Sequence, residues 1–441
     1  MKNICDYTIL RRDKNGFGYG TVKGTLQPAE GAMAVVRVVS EENGVTVLPW
    51  QKCSLDGSEW SAQLCIPQGG LYRIEVRQAS GEFNQFCNSY DWCPFISIIH
   101  HVGVGEIFVM AGQSNMSGYA REPAYDPPEL GVHLYDNCGS WVLAAHPLCS
   151  AVNPVYPNND SASGSSPGLA FAKAMKRALG VPVGLVSASL GGSALASWNP
   201  AEESPFLYKS MAEKLAETGG ATGIIWYQGC NETNFEECST YYEKFVQTVG
   251  LWREEFGSLP IVTCQLNRHS FEGEEDNNVC WGMVREAQRR AAIDLEDVFI
   301  IPTIDLPICD GIHNSSSSCV IIGERMAYAL LNGYYSLPGN QAPTVMSAEK
   351  LDSKTVLLSF NEGVTLKTMD DNADGMNIED EKGLMGCIKA SVSPDGLIVT
   401  AEREIEGKAF FHAYWSKKPP AFTVRDVYGM PMLSCYGVEI K

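Results

Sequence analysis

No apolar stretch in this 441-residue chain approaches the ~18 residues that a membrane-spanning helix needs. The N-terminal run MKNICDYTILRRDKNG also lacks the roughly 7–15-residue apolar core of a secretory signal. A cytoplasmic protein is expected, although a chain trimmed of its export signal would read the same. Positive charge is scarce: 33 Lys plus Arg stand against 52 Asp plus Glu, a net charge of -19. Such an acidic surface repels phosphate backbones and anionic bilayers, so neither nucleic acid nor membrane is an expected partner. None of the 15 Cys forms a C-x-x-C pair, and none is spaced with His as zinc ligands are, so no metal is expected. An odd number cannot all pair within one chain. Several lie in apolar runs, Cys264 in IVTCQL and Cys65 in AQLCIP, where Cys acts as a small buried hydrophobe. Mostly free, buried thiols in a reducing compartment are therefore expected. No internal repeat is present, and the one low-complexity patch is Ser315–Ser318.

What is present is an ordinary globular composition. Apolar residues make up 45% and charged residues 19%, which excludes a disordered or coiled-coil chain. At roughly 150 residues per domain the length predicts two or three domains. Residues 1–100 read as β: YTILRR, GTVKGTL, MAVVRVVS, GVTVLPW, SAQLCI and LYRIEVRQ are short runs separated by turn formers. Asn43 and Gly44 mark a hairpin between two of them, and a small β-sandwich is expected here. From 101 to 338 apolar strands alternate with amphipathic helices. EIFVMAG, VPVGLVSAS, TGIIWYQG, LPIVTCQL and VFIIPTID have the near-continuous apolar character of parallel strands covered on both faces. The helix SSPGLAFAKAMKRALG is punctuated by Ser166 as N-cap, Pro167 in the first turn and Gly180 at the end. The fold class is therefore α/β, a parallel sheet with helices on both faces. Residues 339–441 return to β, with TVLLSFNE, LIVTAE and AFFHAYW, and a second β-sandwich-like domain is expected there.

In an open parallel sheet, chemistry collects past the carboxyl ends of the strands. EIFVMA runs into Gly112-Gln113-Ser114-Asn115-Met116, a serine in a Gly-flanked turn, the placement an exposed nucleophile needs. VPVGLVSAS leads to Gly191-Gly192-Ser193 and then Trp198; adjacent glycines can present a backbone N–H to an oxyanion. GIIWY leads to Gln228-Gly229-Cys230-Asn231-Glu232, a source of side-chain amide donors. VFIIPTIDLPI leads to Cys309-Asp310-Gly311-Ile312-His313. A serine hydroxyl is a weak nucleophile until a base takes its proton, and the base needs a carboxylate to fix its tautomer. Ser114, His313 and Asp310 supply the three parts of an acyl-transfer site.

These four blocks, in this order, resemble the SGNH hydrolase superfamily, and within it the sialate O-acetylesterase and acetylxylan esterase branch. That branch is marked by GQSNM, a GG-S/T block followed by Trp, W-Y-Q-G, and D-x-x-H. Here they are Gly112–Met116, Gly191–Ser193 with Trp198, Trp226–Gly229, and Asp310–His313. Gly323-Glu324-Arg325 also matches the family's G-x-R run. The match covers roughly residues 104–335, and the β regions resemble the accessory domains of bacterial sialate O-acetylesterases more loosely. The resemblance implies a serine carbohydrate esterase that removes O-acetyl groups from an acetylated carbohydrate without a cofactor. It makes Ser114 the nucleophile, His313 the base and then acid, and Asp310 the orienting carboxylate. The oxyanion hole combines the Ser114 N–H, a glycine N–H at Gly191 or Gly192, and an amide. Relatives commonly read Q-G-E where this chain has Cys230. Gln228, in the intact part of the block, is the favoured amide, and Asn231 is the fallback. Gln113, Asn115, Trp198 and Tyr227 are candidates for substrate contact.

Two other patterns lead elsewhere. Gly164-Ser165-Ser166-Pro167-Gly168 satisfies G-x-S-x-G, but the loop-like NPVYPNNDSAS upstream is not the strand that motif requires. The acidic run Glu272–Asp276 reads as a solvated loop, and no carboxylate pair is singled out for glycosidase chemistry. A non-catalytic carbohydrate-binding protein on an esterase scaffold, or an esterase of other short acyl esters, are the alternatives. The sequence does not separate acetylated sialic acid, xylan or another glycan, though the net charge favours a neutral one. Oligomeric state is not readable from it.

Overall fold

The computed structural model describes residues 3–27, 29–150, 154–157, 164–271, 277–368 and 370–441; the acidic run Glu272–Asp276 lies outside them. Its centre is a mixed sheet. In spatial order its strands are Trp141–Leu143, Val132–Tyr135, Val183–Ser187, Phe95–Gly112, Gly223–Tyr227, Ile261–Gln265 and Val298–Pro302. All are parallel except Trp141–Leu143, which turns back against Val132–Tyr135. Val183–Ser187, Gly223–Tyr227 and Ile261–Gln265 are buried at every residue, which is why their sequences are unbroken apolar runs rather than alternating ones. Val132–Tyr135 and the edge strand Trp141–Leu143 are short, and both stand outside the apolar runs recognised in the sequence.

Side-chain alternation along the strands places helices on both sides of this sheet. Trp226 pairs with Ala111, three residues from Phe108, so Trp226 and Phe108 point to opposite faces. Phe108 meets Phe171 of the helix Pro167–Leu179, while Trp226 meets Phe245 and Trp252 of the helix Tyr241–Phe256. Pro167–Leu179 begins where its sequence says it should. Ser166 accepts the Gly168 N–H at 3.2 Å, and Gly180 closes the helix in the left-handed region at φ 68°. The helix Ser316–Gly333, capped by Ser315, packs against it, and Asn278–Asp294 packs against Tyr241–Phe256.

The strand Phe95–Gly112 is 18 residues long and belongs to two neighbourhoods. Its first half pairs with Gly69–Ser80 and, through Gly103–Gly105, with Ile9–Arg11; its second half is the middle of the central sheet. It runs through the expected junction at 100/101. The N-terminal strands Ala32–Ser40 and Thr46–Lys52 flank the predicted Asn43-Gly44 turn. Their sheet faces a second one, Phe17–Thr25, Glu59–Pro67 and Ser54–Asp56, across a core that includes Val22, Val36, Trp60, Ile74 and Val104.

The C-terminal region departs from the expected sandwich-like form. Seven strands from Val345–Lys350 to Cys435–Ile440 close into a barrel. Closure rests on parallel pairing between the first and last strands at Ala348 and Ile440, a contact that strand patterning cannot reveal. The barrel is tied to the sheet by Gln265, whose side chain exchanges two hydrogen bonds with the Ser434 backbone at 2.8 and 2.9 Å. Fully buried Arg285 adds to this, donating to Leu266 and Asn267 carbonyls on one side and to Tyr414, Trp415 and Ser416 carbonyls on the other. No disulfide joins any two of the 15 cysteines. Cys264 is buried, but Cys65 is exposed, because it falls on the outward positions of Glu59–Pro67 where side chains alternate.

Candidate active site

The strand Phe95–Gly112 ends against Tyr227. A Cβ on Gly112 would lie 2.3 Å from the Tyr227 carbonyl oxygen, and its φ is +125°, so only glycine permits the chain to turn here. Gln113 is extended, and Ser114–Ser117 form a single helical turn closed by Gly118 at φ 109°. This places Ser114 at the first position of the turn, at the carboxyl edge of the sheet. The sharp bend is thus encoded by Gly112 and Gly118, the two glycines that bracket QSNMS.

His313 arrives from the far side of the sheet, on the loop after Val298–Pro302. Asp310 builds that loop: its Oδ1 accepts the N–H groups of Ile312 at 2.8 Å and His313 at 2.7 Å. Its Oδ2 lies 2.7 Å from His313 Nδ1, and His313 Nε2 lies 2.9 Å from Ser114 Oγ. Serine, imidazole and carboxylate therefore form one hydrogen-bonded chain. Burial pushes the Asp310 carboxyl up, but hydrogen bonds from the His313 imidazole and from two backbone N–H groups outweigh it and hold the carboxyl below its usual value. An anionic partner at Nδ1 leaves Nε2 facing the serine as the acceptor.

The four residues expected to touch substrate instead hold this arrangement together. Asn115 Oδ1 accepts both the Asn314 N–H at 2.9 Å and Asn314 Nδ2 at 3.1 Å, while its own Nδ2 donates to the Ile312 carbonyl at 3.3 Å. The fully buried Tyr227 hydroxyl accepts from Asn314 Nδ2 at 2.8 Å and lies 3.0 Å from Thr303 Oγ1. Gln113 Oε1 accepts the N–H groups of Gly229 at 2.9 Å and Cys230 at 3.0 Å, and 4% of the residue is exposed. Trp198 is fully buried and donates to Ser193 Oγ at 3.1 Å. Each is packed beneath the site, which corrects the expected role. Asn267, unmarked in the sequence, also donates to the Ile312 carbonyl at 2.5 Å.

Gln228 is a second correction. It is fully buried, its amide donates to the Ser193 carbonyl at 3.2 Å and to Glu232 Oε2 at 2.5 Å, and its oxygen accepts from the Tyr241 hydroxyl at 3.1 Å. Both N–H groups are spent, so none is left for an oxyanion. Glu232, which sequence reasoning passed over, is 3% exposed and also accepts the Leu195 N–H at 2.5 Å. Desolvation pushes its carboxyl up to about 7, against the pull of those hydrogen bonds. Glu232 stands two residues after Cys230 and four after Gln228, a spacing that by itself does not announce this contact. Cys230 carries a thiol pushed up to about 12 by desolvation, which keeps it neutral. Asn231 is exposed, and among the described residues its side-chain amide has no partner. Gly192 is exposed with a φ of +69°, and the turn it belongs to is anchored by the Leu190 N–H on the Gly112 carbonyl at 3.0 Å. The decoy Ser166 is a helix cap and also donates to the Met116 carbonyl at 2.7 Å.

Residues 104–332, just over half of the chain, match the model of a family described as carbohydrate esterase, sialic acid-specific acetylesterase. No curated protein matches. Among solved structures, a carbohydrate acetylesterase from Xanthomonas citri is similar at 22% identity over 98% of this chain and 97% of its own, with a TM-score of 0.70. That likeness extends to the fold of the flanking β regions. An Arabidopsis thaliana protein is similar at 25% identity over 52% of this chain and 98% of its own, with a TM-score of 0.44. A carbohydrate acetylesterase from Sinorhizobium meliloti is similar at 14% identity over 51% of this chain and 97% of its own, with a TM-score of 0.32.

Proposed function

The chain belongs to the sialic acid-specific acetylesterase family of carbohydrate esterases and is a carboxylic ester hydrolase, and from that premise we propose that it removes O-acetyl groups from a glycan with Ser114, His313 and Asp310 as its triad on an SGNH-type central domain. The observation that carries the proposal is the unbroken chain Ser114 Oγ, His313 Nε2, His313 Nδ1, Asp310 Oδ2, with both links under 3 Å. Ser114 Oγ attacks the acetyl carbonyl carbon while His313 Nε2 takes its proton. Asp310 stabilises the imidazolium that results. Charge developing on the carbonyl oxygen is met by the Ser114 N–H, a loop N–H at Gly191 or Gly192, and the Asn231 amide. Asn231 takes this part because its donors are unspent, whereas those of Gln228 are engaged. Collapse breaks the ester bond, and the sugar hydroxyl leaves with the proton from His313. Water, deprotonated by His313, then attacks the acetyl-Ser114 ester; the bond to Ser114 Oγ breaks, His313 returns the proton to Oγ, and acetate is freed.

The test is turnover of p-nitrophenyl acetate, then of O-acetylated sialic acid and acetylated xylo-oligosaccharides, by the wild type and Ser114→Ala. The expected loss in kcat is at least ~10³-fold, with thermal unfolding unchanged. Equal rates in the two proteins, or glycan binding that survives Ser114→Ala with no turnover of any acetyl ester, would overturn the proposal.

A further inference from the structure

Tyr119 stands two residues past the nucleophile's helical turn and has no part in the triad or the oxyanion donors. Its ring is stacked on the His313 imidazole, with centroids 4.9 Å apart and planes 25° from parallel. At its other end, the hydroxyl occupies the space a side chain at position 191 would need: a Cβ on Gly191 would sit 2.6 Å from the Tyr119 oxygen. One side chain therefore bridges the gap between the base and the glycine turn expected to hold the oxyanion. The backbone beneath it is clamped. Gly118 accepts the Gly164 N–H at 3.0 Å, and Ala120 accepts the Ser165 N–H at 2.8 Å, so the ring is held from a fixed platform.

We propose that Tyr119 is a positioning residue for ester hydrolysis, holding the His313 imidazole toward Ser114 by stacking and closing the space between His313 and Gly191 so that short acyl groups are accepted and longer ones refused. The inference rests on the triad reading above. An imidazole fixed by its carboxylate at one edge can still rock about that hydrogen bond, and a ring stacked on its face removes this freedom. A flat aromatic face also favours the cationic imidazolium that forms as the serine proton is taken. The same ring fills the volume into which an acyl chain longer than acetyl would extend, and each excluded methylene is worth a measurable factor in selectivity.

The experiment compares acetyl, propionyl and butyryl p-nitrophenyl esters across the wild type, Tyr119→Ala, Tyr119→Phe and Ser114→Ala. In Tyr119→Ala, kcat on the acetyl ester is expected to fall about 10-fold or more with KM within about 3-fold, because alignment rather than binding is lost. The butyryl-to-acetyl ratio of kcat/KM is expected to rise by about 10-fold. Tyr119→Phe keeps the stack, so kcat on the acetyl ester should return to within about 3-fold of the wild type. If Tyr119→Ala does not fold, Tyr119→Leu makes the same comparison: it retains bulk without a ring, so kcat should fall while longer chains stay excluded. Folded Tyr119 variants with wild-type kcat and wild-type chain-length ratios, beside an inactive Ser114→Ala, would overturn this inference alone. A fully active Ser114→Ala would overturn the triad reading beneath it.

Discussion

Two turns leave neighbouring parallel strands at the same edge of the central sheet, one after Gly112 and one after Tyr227. Both are polar, and both carry groups suited to ester chemistry. In the first, the fold fixes the backbone with glycines and braces it through Gln113 and Asn115, so that Ser114 Oγ faces His313. In the second, the amide of Gln228 and both oxygens of Glu232 are consumed by the fold's own hydrogen bonds, and the exposed Asn231 beside them is spared. The chemistry of a polar side chain at a strand edge is thus set by what the fold leaves unpaired. Residue type alone does not show this, because a buried donor that is already satisfied is structural however reactive its neighbourhood.

The comparison is sharpened most by Asp310→Asn. It should leave the loop in place but reverse the tautomer preference of His313, lowering kcat on p-nitrophenyl acetate by roughly 10³–10⁴-fold. A loss below about 10-fold would mean that the serine turn does not depend on the carboxylate. The second turn is divided by a pair of variants. Asn231→Ala is expected to lower kcat by about 10²-fold with an unchanged melting curve. Gln228→Ala is expected to cost about 1–3 kcal/mol in chemical unfolding, because it strips partners from buried groups, with kcat of the folded protein within about 3-fold. The opposite pattern would return the oxyanion role to Gln228. The smallest effect is read from pH. Glu232 is pushed up to about 7 from 4.5, so its contribution to stability is fully present below 4.5 and is lost as pH rises through about 7. The melting-temperature advantage of wild type over Glu232→Gln should therefore shrink between about pH 5 and about pH 8. A constant difference would place the Glu232 carboxyl in its ordinary range.

Much of this was legible in the residues. The apolar runs that became the buried strands needed no partner information, because a strand covered on both faces must be apolar throughout. Ser166, Pro167 and Gly180 marked one helix at both ends through local chemistry alone. The turns that present Ser114, Asp310 and His313 could be read because glycines and an Asp-Gly turn are local demands of that geometry. What was not legible depends on distant partners. Trp198 and Tyr227 look like sugar-stacking aromatics until their complete burial is seen. Whether Gln228 has a free donor depends on Ser193, Glu232 and Tyr241. The closed barrel depends on one pairing between strands some ninety residues apart, at Ala348 and Ile440.

The strand Phe95–Gly112 carries a practical consequence for anyone wishing to divide the chain. Its midpoint is paired with Ile9–Arg11 and Gly69–Ser80, and its last residue precedes the turn that bears Ser114. Removing residues 1–100 would leave Val102 and Val104, both fully buried, facing water, and would bare a row of backbone hydrogen-bonding groups on an open strand edge. A segment excised in this way should accordingly be sticky and prone to self-association. The β region in front of it behaves as a splint for the strand that leads into Ser114, and grafting or shuffling experiments should carry the two together.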